Sequence, residues 1–306
     1  MSVKSSNTQL PITNHQTDLK SAYVLVTPVR NEENYIGRTI QSVVSQTNLP
    51  KEWIIVSDGS TDNTDTIIEA GIQANPWIRL IKLPQRENAS WRAVVENTTL
   101  GIKKLKYKKY DFLGLLDSDL EFEKTYFEQL INKFENTPNL GLSGGNAIDI
   151  GRPKTYIPRN LQEVPGAVQF FKRECFESIG GIIALPEGGW DALTAAVARK
   201  NGYKTRLASD LVVDHLKPNN IRSGNIVRRK WQRGIRDYAL GYHPLFELIK
   251  CIDLIRERPY LISAFLWFCG YVSCYLSGRK RILEKELITF IQMEQMARLS
   301  KIFRRT

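Results

Sequence analysis

Two aspartates one residue apart, Asp117 and Asp119, close the apolar run in "FLGLLDSDLEF". Carboxylates this close repel unless a cation or hydrogen bonds hold them. Hard divalent cations prefer oxygen ligands, and Mg²⁺ in particular is often held by one or two carboxylates together with substrate phosphates. The chemistry on offer is therefore a cation carrying a phosphorylated ligand. Alone, such a pair is more often a solvated turn after a strand. Its setting strengthens it, because two other apolar runs also end in polar clusters, "TPVRNEE" and "SDGSTDNT".

The elements that must position these residues follow from periodicity. "AYVLVTPV" (22–29), "EWIIVSDGS", "WIRLIKLP" and "YDFLGLLDSD" are short apolar runs that read as strands, with alternation placing Asp117 and Asp119 on the same side. Between them "EENYIGRTIQSVVSQ" (32–46), "TDTIIEAGIQAN" and residues 88–105 carry helical spacing. Strand and helix in alternation predict an α/β fold, a mainly parallel sheet with flanking helices. Ligands bind beyond the carboxyl ends of such strands, so the three polar clusters are expected to meet at one edge. Further on, "EKTYFEQLINKFEN" reads as a helix, "LGLSGGNAID" as a strand, and "GAVQFFKRECFESIGG" as a strand and short helix. "DALTAAVARKNGY" reads as a helix stopped by Gly202, and "KTRLASDLVVDHLKP" as a strand ending near His215.

Together "VTPVRNEENYIGRTIQSVVSQT", "IIVSDGSTDNT" and "LLDSDL" resemble the family 2 glycosyltransferases of GT-A (Rossmann-like) fold. "GGWDALTAAVARKNGYKT", "VVDHLKP" and "RRKWQRGIRDYALGYHP" extend the resemblance over most of the chain. It implies an inverting transfer of a sugar from a nucleotide-sugar, UDP- or GDP-linked, with Mg²⁺ or Mn²⁺ as cofactor. By resemblance Pro28, Arg30, Asn31 and Glu32 line the nucleotide pocket, and Asp58 holds the base. Asp117 approaches the ribose or the metal, while Asp119 and His215 hold the metal. Asp191 falls at the catalytic base. Many relatives carry Glu-Asp there, whereas this chain reads Trp190-Asp191, which makes Glu187 a rival; an acid at a helix start is also a good cap. Arg92 and Asn88 match a donor-facing region, Arg92 being equally readable as a solvated helix face. Arg229, Trp231 and Arg233 match a basic, aromatic loop that closes over the diphosphate.

Charge is uneven. From Arg222 to Thr306 there are 17 Lys and Arg against 7 Asp and Glu, a net of +10 out of the chain's +11. An anionic partner is expected; no nucleic-acid readout module accompanies the basic stretch, so no nucleic-acid partner is expected. "PYLISAFLWFCGYVSCYL" (259–276) runs 18 residues without a charge between "RER" and "GRKRILEK". That is short for a spanning helix and also suits one lying in the interface or buried on the catalytic domain. "LITFIQMEQMARLSKIF" follows with helical spacing. The expectation is membrane contact on the cytoplasmic side, peripheral or single-span, and a glycan or lipid-linked acceptor. Residues 1–20 read as a disordered tail without an apolar signal region, 21–221 as the catalytic domain, and 222–306 as a helical extension. Four cysteines without a CxxC pair suit buried thiols in a reducing compartment. A non-catalytic, membrane-tethered nucleotide-sugar-binding module is the rival reading; a nucleotidyltransferase is a weaker one, because this chain has no glycine-rich phosphate loop after the first strand.

Overall fold

The computed structural model describes residues 21–85, 91–217, 226–256 and 261–304. The N-terminal tail, Asn88, the junction at 221–222 and Pro259 lie outside the described residues.

Four strands build one half of the sheet: β1 (Tyr23–Val29), β2 (Glu52–Asp58), β3 (Ile78–Leu83) and β4 (Phe112–Leu116). They pair in parallel in the order β3-β2-β1-β4. Helices α1 (Ile36–Val44), α2 (Thr64–Ala74) and α3 (Trp91–Lys104) make the crossovers. α1 starts later than its periodicity suggests, because residues 32–35 form a turn in which the Glu32 carbonyl accepts the amides of Tyr35 and Ile36. Strand alternation sorts the core onto the two faces of the sheet. Tyr23, Leu25, Trp53 and Ile55 pack with Ile36, Ile40 and Ile68, while Val24, Val26, Ile54 and Val56 pack with Val95 and Leu105.

The second half comprises β5 (Leu120–Phe122), α4 (Tyr126–Glu135), β6 (Leu140–Asp149), β7 (Val168–Lys172), α5 (Arg173–Ser178), α6 (Trp190–Lys200) and β8 (Lys204–His215). β7 pairs antiparallel with both β4 and β6, β8 runs parallel to β6, and β5 closes the edge antiparallel to β8. The sheet is therefore mixed: β5 and β7 run against all the other strands. At Gly202 the chain leaves α6 with φ +86°, which favours glycine at the helix stop.

Among the described residues four α-helices follow: α7 (Ile226–Ala239), α8 (Pro244–Asp253), α9 (Ile262–Leu276) and α10 (Lys285–Phe303). α7 and α9 cross closely: a Cβ on Gly234 would collide with the Trp267 carbonyl, and one on Gly270 with the Trp231 carbonyl. α10 joins the sheet domain through a shared core in which Leu283, Leu287 and Ile291 meet Leu193 and Ala196 of α6. Arg199 on α6 adds two bonds to Glu294, at 2.7 and 2.9 Å. Among the described residues no helix is long and apolar enough to cross a membrane.

Candidate active site

The strands that share a direction deliver their polar ends to one edge. The Asp117–Asp119 turn is the centre of that edge, and its geometry differs from strand alternation: β4 stops at Leu116, and the two aspartates lie on a bend into β5. Thr39 of α1 pins the bend. Its hydroxyl lies 2.9 Å from the carbonyls of Ser118 and Leu120 and from the amide of Leu120. The Asp117 amide donates to the Ala167 carbonyl, and the Asp119 carbonyl accepts the Leu216 amide. The aspartates converge because both ends of the bend are tied down.

His215 arrives from β8, where it sits opposite Leu120 on one side and Asp149 on the other. One ligand atom each from Asp117, Asp119 and His215 lies within 4.8 Å of the others. Asp119 is 2% exposed and His215 8%. His215 Nε2 is 3.2 Å from Asp119 Oδ2, within ion-pair range, yet neither buried atom has a hydrogen-bond partner. On the other side of the ring, Nδ1 meets Asp149 Oδ1 at 2.9 Å. Burial disfavours the imidazolium, but the carboxylates of Asp119, Asp149 and Asp117 outweigh it and push its pKa up to about 9. Two carboxylates and an imidazole, with two buried atoms lacking hydrogen bonds between them, fit a divalent cation. Asp149 supplies the carboxylate that commonly orients a metal-binding histidine from behind. Sequence reading missed Asp149 although it also ends a strand, "GGNAID", because nothing local announces that β6 runs parallel beside β8.

The loop after β1 forms the neighbouring wall. Asn31 has φ +51°, and its Oδ1 accepts the Thr61 amide at 2.8 Å. The Glu32 amide donates to Thr64 Oγ1 at 2.7 Å. Arg30 Nη1 lies 3.7 Å from Asp58 Oδ2 at the buried end of β2, and Pro28 sits opposite Val56. Lys217, just past His215, donates to Glu32 Oε1 at 2.6 Å and ties the first strand's loop to the last strand's end. Lys217 also went unread, since 185 residues separate the partners.

Asp191 lies in the first turn of α6 but makes no side-chain cap; its Oδ2 accepts the amide of Gly166 at 3.1 Å. Gly166 adjoins Ala167, whose carbonyl holds Asp117. One dipeptide thus ties Asp191 and Asp117 to the same short segment. Glu187 is ion-paired to Arg279.

Other expected residues go elsewhere. Arg92 is exposed and pairs with Glu96 one turn away on α3, at 2.8 Å, which is the solvated-face alternative. Arg233 lies over the Trp267 ring at 5.2 Å, so its guanidinium serves the α7–α9 contact. Trp231 is exposed and Arg229 half-buried on the same helix.

With this geometry in view, the comparisons with known proteins decide the family. Residues 24–185, more than half the chain, match the Glycosyl transferase family 2 model. The chain belongs to that family. Family 2 relatives include poly-beta-1,6-N-acetyl-D-glucosamine synthase of Staphylococcus aureus, 27% identical over 215 residues, covering 70% of this chain and 46% of the synthase. Chondroitin synthase of Pasteurella multocida is 34% identical over 120 residues, covering 39% of this chain and 11% of that protein. The chain thus spans less than half the length of these curated relatives. Among solved structures, the mannosyltransferase PcManGT of Pyrobaculum calidifontis, in complex with GDP-Man and Mn²⁺, superposes with TM-score 0.53 at 16% identity. It covers 91% of this chain and 86% of its own. Residues 1–349 of S. aureus TarS, in complex with UDP-GlcNAc, give 0.52 at 13% identity, covering 84% and 73%. These likenesses carry the fold of the family 2 chain, a GT-A-like sheet with C-terminal helices.

Proposed function

We propose that the chain is an inverting glycosyltransferase, moving a sugar from a UDP- or GDP-linked donor to a hydroxyl on a glycan or lipid-linked acceptor, at the cytoplasmic side of a membrane. The observation that carries this reading is the convergence of Asp117, Asp119 and His215 at the carboxyl edge of the sheet, with their ligand atoms within 4.8 Å. Family membership and the nucleotide-sugars named for two structural neighbours support it. The same three residues would hold Mg²⁺ or Mn²⁺, which when bound stabilises negative charge on a departing diphosphate.

The chain's own residues do the rest. Asp58 and the Pro28–Glu32 loop hold the nucleotide, with Arg30 beside Asp58 in ion-pair range. Asp149 orients His215 from behind. Gly166 fixes one carboxylate oxygen of Asp191, leaving the other to take the proton from the acceptor hydroxyl. Because Glu187 is engaged by Arg279, Asp191 is the residue assigned as base.

The test separates binding from chemistry. Thermal melts with UDP or GDP, each with and without Mn²⁺, are expected to show a metal-dependent rise in Tm for one nucleotide. Asp191→Asn is expected to keep that rise while losing on the order of 10²–10⁴-fold in transfer. Full turnover in Asp191→Asn would remove it as the base, and a chain indifferent to every nucleotide would sink the donor site.

A further inference from the structure

The last helices carry a surface that sugar transfer does not explain. α9 has two faces. Its inner face (Ser263, Ala264, Trp267, Gly270, Tyr271 and Cys274) is buried, and packs against α7 at the Gly234–Gly270 crossing. Its outer face recurs at Ile262, Phe265, Leu266, Cys269 and Leu276. Ile262 is 55% exposed, Phe265 67% and Leu276 85%. No charged residue occurs anywhere in α9. A helix on a water-facing surface ordinarily turns charged side chains outward. The neighbouring α8, joined to α9 through Cys251, Ala264 and Trp267, exposes Leu248 and Ile252 as well, with Ile255 just beyond it.

We propose that the outer face of α9, with the exposed residues of α8, docks in the plane of a lipid bilayer whose headgroups are anionic. This deepens the membrane contact put forward above and says how it is made. Length excludes a span by α9 itself, since 15 residues rise about 22 Å against a hydrocarbon core of about 30 Å. Charge selects lipid over a second copy of the chain. Exposed Arg279 and Lys280 directly follow α9, and Arg256 and Arg258 precede it in sequence. Two copies meeting on this face would bring two segments of +10 together, whereas an apolar face flanked in sequence by cations matches an anionic interface.

The experiment is flotation of the full chain with vesicles of phosphatidylglycerol and phosphatidylcholine, beside vesicles of phosphatidylcholine alone. The wild type is expected to float with the anionic vesicles and only weakly with the neutral ones. Ile262→Glu with Phe265→Glu is expected to cut partition roughly tenfold or more, while leaving the Tm shift with nucleotide and Mn²⁺ intact. That shift reads the donor site separately, so failure of one reading is distinguishable from failure of the other. Should the double variant not fold, hydrogen exchange on the wild type replaces it, with α9 amides gaining protection when anionic vesicles are added. A wild type that stays in the soluble fraction, a folded variant that floats equally well, or a self-association abolished by the two substitutions would overturn the proposal.

Discussion

Two clusters of carboxylates among the described residues, each built around a buried aspartate, are solved differently. At the sheet edge Asp117, Asp119 and Asp149 surround one histidine, and Asp119 Oδ2 faces His215 Nε2 with no hydrogen bond made by either atom. Among the C-terminal helices Asp237 is fully buried, yet it accepts a bond from Trp267 Nε1 at 2.7 Å, pairs with Lys250, and has Arg236 Nη2 at 3.3 Å. The Lys250 ammonium also sits 4.4 Å from the centre of the Trp267 ring. The helical cluster brings its own cations from α7 and α8. The edge cluster answers its acids with one imidazole, whose proton the proposed divalent cation would displace. A buried acid met by lysine, arginine and indole donors reads as a structural tie, and one whose partner is itself a metal-ligating atom reads as a site.

The largest expected effect breaks the edge cluster. Asp119→Asn removes a charged ligand, so turnover is expected to fall on the order of 10⁴-fold, about 5 kcal/mol of transition-state stabilisation. The Mn²⁺-dependent rise in Tm should vanish with it. Metal-free Tm should fall only modestly at pH 7, because the His215 imidazolium loses one carboxylate partner but keeps Asp149 and Asp117 beside it. Steady-state transfer and melts with and without chelator measure both, and a variant that loses stability instead of metal response would make the edge cluster a tie like the other.

The converse substitution sharpens the contrast. Asp237→Asn leaves half-buried Arg236 without its counter-charge and Lys250 with only the Glu247 carboxylate 3.8 Å away, which is expected to cost about 3–5 kcal/mol in unfolding free energy by urea titration. The metal-dependent Tm shift should survive at matched stability. A loss under about 1 kcal/mol would mean that the helical cluster is not what holds α7, α8 and α9 together.

The two clusters were also unequally legible. The edge was readable because β1, β2 and β4 are apolar runs that each end in polar residues, and parallel strands bring such ends together. Asp117 and Asp119 are legible in this way and His215 only through the family resemblance, and the three converge. The reason given for Asp117 and Asp119 sharing a side did not hold, since a bend pinned by Thr39 replaces strand alternation. Asp149 and β5 were not legible: one depends on a nonlocal strand pairing, and the other is only three residues long. The helical cluster was opaque because "RGIRDYAL" looks like any charged helix. What makes Asp237 special is that Lys250 and Trp267 come from other helices. The contact of Arg233 was equally opaque, its ring partner lying 34 positions away on α9.

The smallest effect probes the residual imbalance of the helical cluster. Glu247 is also fully buried; Oε1 accepts a long bond from Cys251 Sγ at 3.6 Å, and Oε2 has no hydrogen-bond partner. Burial raises its pKa and Asp237 adds to the rise, while Lys250 and Arg236 offset only part, so the carboxyl is pushed up to about 7 from its ordinary 4.5. A raised folded-state pKa means that the folded chain binds more protons than the unfolded one between those values. The contribution of Glu247 to stability is therefore fully present below about pH 4.5 and is lost as pH rises through about 7. Glu247→Gln removes this titration. Urea melts at pH 5 and pH 8 should show the wild type losing on the order of 1–3 kcal/mol more than the variant across that interval. Parallel pH profiles for the two proteins would mean that Lys250 answers Glu247 as fully as it answers Asp237, and the helical cluster would then be closed without remainder.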